Sequence, residues 1–193
     1  AAEPGTAIML GEDADERKAG TDTQIRDVAN AKPMGQKGLL RGGVEFCKDG
    51  RFGGGLGFAG GDGVLVLPEK KWRLDCTVEF WIKPAELPRE PAVLFQALRT
   101  KHSESNPATL ELMPDGALRF VWLGKPSPAT DKKIKAGEWR HVVFQYAGKF
   151  SKWTERGKAM HADILLDGVP ALSAPIQPDS ANYHATPQDV NYY

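Results

Sequence analysis

The chain has only two cysteines in 193 residues. That excludes a cysteine-stapled fold and a four-cysteine zinc site. One disulfide is possible: a Cys47–Cys76 bridge would close a loop worth roughly 3–4 kcal/mol of chain entropy. Two unpaired, buried thiols are the equal alternative, because spacing does not show whether two Cα atoms meet. Long apolar runs are missing too. The longest are about four or five residues, against the roughly 20 that a membrane-spanning helix needs, so membrane insertion is not expected. Neither sign of charge is in excess, with Lys+Arg at 25 and Asp+Glu at 25. This balance gives no electrostatic footprint for nucleic acid. Helical periodicity is absent, since no segment holds an i, i+3, i+4 apolar stripe over about eleven residues. No internal repeat, low-complexity tract or linker breaks the chain.

What is abundant is punctuation. The 21 glycines and 14 prolines divide the chain into short runs, as in a turn-rich β protein. Val64–Leu67 is a strand ended by Pro68. Thr77–Lys83 alternates Val78, Phe80 and Ile82 against Glu79, Trp81 and Lys83, the period of a strand with one face buried. Ala92–Leu98, Thr109–Met113 and Ala117–Leu123 follow, the last two joined through Pro114-Asp115-Gly116. Arg140–Tyr146 alternates again. Ala162–Leu166 turns through Asp167-Gly168, a hairpin signal, into Pro170–Leu172. Ala7–Leu10 is a further candidate strand, Gly11–Asp22 a solvated loop, and Thr23–Gly43 irregular. These runs predict an all-β, two-sheet antiparallel β-sandwich. Residues 1–6 form a loose end and residues 7–193 one domain. The small-residue start Ala1-Ala2-Glu3-Pro4-Gly5 is that of a mature terminus left by signal cleavage, so export is expected.

Several chemistries can be weighed from the residues. Gly55-x-Gly57-x-x-Gly60 fits the dinucleotide fingerprint, but a β run follows at Val64 where that motif needs a helix. The glycines are better explained as positions of positive φ and close approach at a sandwich corner. Glycoside hydrolysis needs two carboxylates roughly 5–9 Å apart. Glu79 and Glu111 each stand alone in their strands, which disfavours a hydrolase. His161-Ala162-Asp163 places two possible ligands on one strand face, too few for zinc; His102, His141, His161 and His184 read as surface residues. No nucleophile elbow or Walker sequence occurs. Of the five tryptophans, Trp81 and Trp139 are expected to pack in the core or sheet. Trp72, Trp122 and Trp153, with Phe150 in the long 149–156 segment, are the candidate ligand-binding residues, because exposed aromatics stack on sugar rings.

Four segments, in order, carry a resemblance. Gly50–Val64 resembles the glycine-rich segment of laminin-G-like jelly rolls. Thr77-Val78-Glu79-Phe80-Trp81-Ile82-Lys83-Pro84 resembles their "FTVEFWIKP" strand. Gly137-Glu138-Trp139-Arg140-His141-Val142-Val143-Phe144 resembles "GEWHHVAF", and Leu166-Asp167-Gly168-Val169 resembles the "YVDGV" hairpin. The likeness covers residues 7–176. It implies the concanavalin A-like lectin and glucanase superfamily and its jelly roll. The glucanases there carry "ExDxxE" on one strand, a spacing this chain lacks. Asp27-Val28-Ala29-Asn30 falls where the family has "DSSGN", so the resemblance implies a structural calcium near Asp27, Asn30 and Asp62. The family closes with two further strands, and this chain reaches Asn191-Tyr192-Tyr193 where the first of them begins. The expectation is therefore a non-catalytic binding domain of a larger, exported protein, recognising carbohydrate or a protein partner. An assembly subunit whose open sheet edge is completed by a second chain is the alternative.

Overall fold

The computed structural model describes residues 24–26, 37–59, 63–66, 76–99, 108–122, 124–147, 160–176 and 190–192. Among them there are strands and turns and no helix. The chain divides into two compact units, residues 1–69 with 192–193, and residues 70–191.

The first unit holds β1 (Gln24–Arg26), β2 (Lys37–Arg41), β3 (Val44–Gly50), β4 (Gly53–Phe58) and β5 (Val64–Val66). β2 lies between β1 and β5 in a three-stranded antiparallel sheet. Two strands thus occupy Thr23–Gly43, which was expected to be irregular. β3 and β4 form a hairpin closed by Arg51-Phe52 between the paired Gly50 and Gly53. Gly53, Gly54, Gly55 and Gly57 therefore lie in a strand and not at a corner. Among the described residues its glycines are not those with positive φ, which are Gly42, Gly116, Gly124, Gly137 and Gly168. Close approach does hold: a Cβ on Gly55 would lie 3.3 Å from Gly50 Cα and 3.5 Å from Cys47 Sγ.

The second unit holds β6 (Cys76–Ile82), β7 (Ala92–Arg99), β8 (Ala108–Leu112), β9 (Leu118–Trp122), β10 (Lys125–Pro126), β11 (Arg140–Ala147), β12 (Met160–Leu166), β13 (Val169–Ile176) and the first two residues of β14 (Val190–Tyr192). One antiparallel sheet has the order β13-β12-β11-β6. The other has the order β10-β9-β8-β7-β14. The expected strands appear here, each within a few residues of its expected bounds.

Alternation places one face of each sheet inward. Phe144 of β11 is fully buried and meets Phe95 of β7 at 6.3 Å and Phe120 of β9 at 5.9 Å between ring centroids. Leu110, Leu118, Val142 and Ile164 are also fully buried. Burial of such side chains, at about 1.5–3 kcal/mol each, is the main favourable term holding two sheets together.

Side chains extend the five-stranded sheet past β9. Thr130 is buried; its Oγ1 accepts the Leu118 N–H at 2.9 Å and donates to Lys132 O at 2.7 Å. Ser127 Oγ accepts the Phe120 N–H at 3.1 Å. The segment after β10 thus satisfies polar groups on the β9 edge, which would be costly if left unpaired. At the other end of the hairpin, Asp115 Oδ1 accepts the Ala117 N–H at 3.1 Å and Asp115 Oδ2 pairs with Lys133 Nζ at 2.7 Å.

Candidate ligand-binding face

The four-stranded sheet has an outer face opposite the core. On β6, Thr77, Glu79, Trp81 and Lys83 are exposed and alternate with half-buried Val78, Phe80 and Ile82. Period two dictates this. β11 brings His141 opposite Trp81, Val143 opposite Glu79, and Gln145 opposite Thr77. β12 sets Leu165 beside Val143 and Asp163 beside Gln145.

Register converts this list into a site. Trp81 and His141 stack, with ring centroids 5.1 Å apart and planes 26° off parallel. Trp81 remains 37% exposed. Glu79 Oε2 lies 3.9 Å from His141 Nε2. Gln145 Nε2 donates to Asp163 Oδ2 at 3.3 Å. The result is a half-open aromatic platform beside a carboxylate and an imidazole, with a carboxylate–amide pair further along the strands. Lys83, next on the face, sits over the Trp139 ring at 5.3 Å, a cation–π contact.

A small ion-pair network anchors the platform. Arg140 Nη1 donates to Asp167 Oδ2 at 2.8 Å and Arg140 Nη2 to Glu138 Oε2 at 2.7 Å. The His141 N–H donates to Asp167 Oδ1 at 3.0 Å, and the Asp167 N–H donates back to His141 O at 2.9 Å. Asp167 and Gly168 have φ of 53° and 76°, as a two-residue hairpin with both central residues left-handed requires. The β12–β13 turn is thereby tied to the residue that carries the stacked imidazole.

The His141 N–H, and after it Arg140, hold the Asp167 carboxyl below the ordinary aspartate range. A depressed folded-state value gives stabilisation that is present above the unfolded value and is lost as pH falls through the folded one. Asp167→Asn keeps a residue tolerant of positive φ. Its melting temperature is therefore expected to lie below that of the parent at neutral pH. The gap should narrow as pH falls below about 4. Thermal melts of both proteins across the acid range check this, and a gap independent of pH contradicts it.

The expected site residues are distributed as follows. Trp122 is corrected: it is 7% exposed and lies edge-on to Tyr146 at 5.4 Å. It is part of the sandwich interior, because its β9 position shares the inward face with Phe120. Trp72, Phe150 and Trp153 lie outside the described residues, as do Asp27, Asn30 and Asp62. Cys47 is a free, half-buried thiol on β3. For Cys76 only its backbone position at the start of β6 is described. Glu111 is the one acid of β8, and Arg119 Nε donates to its Oε2 at 2.6 Å across the β8–β9 pair. His161 is exposed. No group of three or more His, Cys, Asp or Glu among the described residues could hold a metal ion.

A laminin-G family model, described as Concanavalin A-like lectin/glucanases superfamily, matches residues 59–188, about two thirds of the chain. The chain belongs to this superfamily. The two stacked antiparallel sheets of the second unit are the architecture that membership implies. A search of curated proteins finds no significant match. No helix among the described residues is long and apolar enough to cross a membrane. Within this laminin-G-like domain, Trp81 is the functional candidate that was expected to pack. Its signal was the alternation itself, which sets it with Glu79 and Lys83 against Val78, Phe80 and Ile82.

Proposed function

We propose that this laminin-G-like domain is a non-catalytic carbohydrate-binding module of an exported protein, with the outer face of its four-stranded sheet as the binding surface. The observation that carries the reading is the Trp81–His141 stack, half open to solvent, with Glu79 beside it. An aromatic ring accepts the C–H face of a sugar, and carboxylate, imidazole and amide groups bond its hydroxyls. A protein partner is the weaker reading. The centre of a protein interface is depleted in charge, whereas Glu79 and Asp163 both stand on this face.

Completion of a sheet edge by a second chain has less support at β13, which places Pro170 and Pro175 on its edge. Proline removes ladder donors and blunts an edge. Hydrolysis has less support as well. Glu79 and Asp163 lie two strands and two residues apart, so their side chains start roughly 12 Å from each other. That is beyond the roughly 5–9.5 Å between the carboxyl groups of a glycosidase pair.

The test is a neutral-glycan array followed by titration calorimetry on the hits, for the parent and Trp81→Ala. Affinity should fall roughly tenfold or more, the loss expected for a central aromatic anchor. The melting temperature should barely change, as for a surface substitution. Unchanged affinity in the variant overturns the reading.

A further inference from the structure

The outer face of the four-stranded sheet carries more than the platform. Cross-strand register sorts it into rows. Trp81 and His141 form the first. Glu79, Val143, Leu165 and Pro170 form the second. Thr77, Gln145, Asp163 and Ser173 form the third, which runs across all four strands. Every member of the third row has a hydroxyl, an amide or a carboxylate. Thr77 and Ser173 are exposed, and Gln145 and Asp163 are half-buried.

The first and third rows are four residues apart along β6, roughly 13 Å at about 3.3 Å per residue. That exceeds the width of one sugar ring. Between them Val143 and Leu165 are half-buried and apolar, a floor suited to C–H surface and not to hydroxyls. In the third row the Gln145–Asp163 bond uses one carboxylate oxygen. The other carboxylate oxygen and the Gln145 carbonyl are acceptors, and the Thr77 and Ser173 hydroxyls both donate and accept.

We propose that the Thr77–Gln145–Asp163–Ser173 row is a second subsite, so that the ligand is an extended neutral oligosaccharide lying along the strands with one sugar stacked on Trp81. This rests on the platform reading above and names the ligand class. The charge of this face selects against acidic glycans. Glu79 and Asp163 are both carboxylates, and the one lysine of the β6 face, Lys83, lies at the far end over Trp139. A uronate or sulfate over the floor would meet two like charges, which is the repulsive half of specificity. The Gln145–Asp163 pair also keeps the third row rigid, so less side-chain freedom is lost on binding.

The experiment uses the full chain and a panel of neutral gluco-, manno-, galacto- and xylo-oligosaccharides of increasing length, with uronate-containing chains as the acidic arm. Parent, Trp81→Ala, Asp163→Ala and Thr77→Val proteins are titrated calorimetrically. Parent affinity should rise with chain length and then level off, and the acidic chains should bind more weakly. Asp163→Ala should lower affinity for the long chains roughly tenfold, the scale of a lost hydrogen bond to a charged group. It should leave the shortest binding sugar unaffected. Thr77→Val, a shape-conserving change at an exposed position, should act in the same direction if Asp163→Ala proves unstable. Length-independent affinity, or tight binding of long chains by both third-row variants while Trp81→Ala loses it, overturns the second subsite and leaves the platform standing. Absence of any glycan binding by the parent overturns both.

Discussion

Truncation of Phe144 to alanine is expected to destabilise the protein by about 3–5 kcal/mol, the range for a fully buried aromatic. Its ring is the point where the two sheets of the second unit meet. Phe95 and Phe120 approach from the five-stranded sheet, and Tyr146 lies alongside at 5.8 Å. Removing it empties space on both sheets at once, and strands held in register by hydrogen bonds collapse little into a cavity. For a chain of this size the melting temperature should fall by roughly 6–20 °C. A loss under about 1 kcal/mol would mean that the sheets are not packed through this residue. Phe144→Leu, which keeps most of the apolar volume, should cost less than the truncation.

The second large effect is expected at Gly116. Its φ is +85°, and a Cβ there would fall 2.1 Å from Ile134 O. The contact is backbone, so no side chain can swing aside. Gly116 O also accepts the Ile134 N–H at 2.7 Å, and Ile134 is buried to 1% exposure. Gly116→Ala therefore combines left-handed backbone strain with a displaced core segment, about 2–5 kcal/mol in all. Gly124 isolates the two parts. Its φ is +78°, yet an added Cβ meets nothing within 4 Å. Gly124→Ala should show only the backbone part, about 1–2 kcal/mol. Denaturant unfolding of both variants gives the difference. Equal losses at the two sites would contradict the steric account.

These two positions also show how much of the fold was legible. Phe144 and Tyr146 share one side of the alternating Arg140–Tyr146 run, and Asp115-Gly116 sat between two apolar runs. Both signals are local and both led to the right strands. The β3–β4 hairpin was not legible. Gly53-Gly54-Gly55-Leu56-Gly57 has low strand propensity, and what makes it a strand is pairing with β3 and the room it leaves for Gly50 and Cys47.

The site was legible in part. Alternation separated Trp81 from Val78, Phe80 and Ile82, so its exposure could have been read from β6. The likeness to a family strand argued instead for packing. Trp122 went the other way: its place at the end of a hairpin strand suggested a surface, while its inward parity with Phe120 buried it. Register was out of reach. Thr77, Gln145, Asp163 and Ser173 come from four strands spread over almost a hundred positions, and a period-two pattern fixes which face a residue takes but not which residues lie opposite. Asp163 was noticed beside His161, yet its partner proved to be Gln145 of the neighbouring strand.

The central claim is that sugars bind on the outer face of the four-stranded sheet. Amide chemical-shift mapping of the isotope-labelled chain during titration with its tightest neutral oligosaccharide tests this most directly. The account predicts that the largest shifts trace one patch, from Trp81 and His141 across Val143 to Gln145 and Asp163, with the amides of Phe144, Leu110 and Leu118 little affected. Shifts confined to the β3–β4 hairpin or to the five-stranded sheet would contradict it.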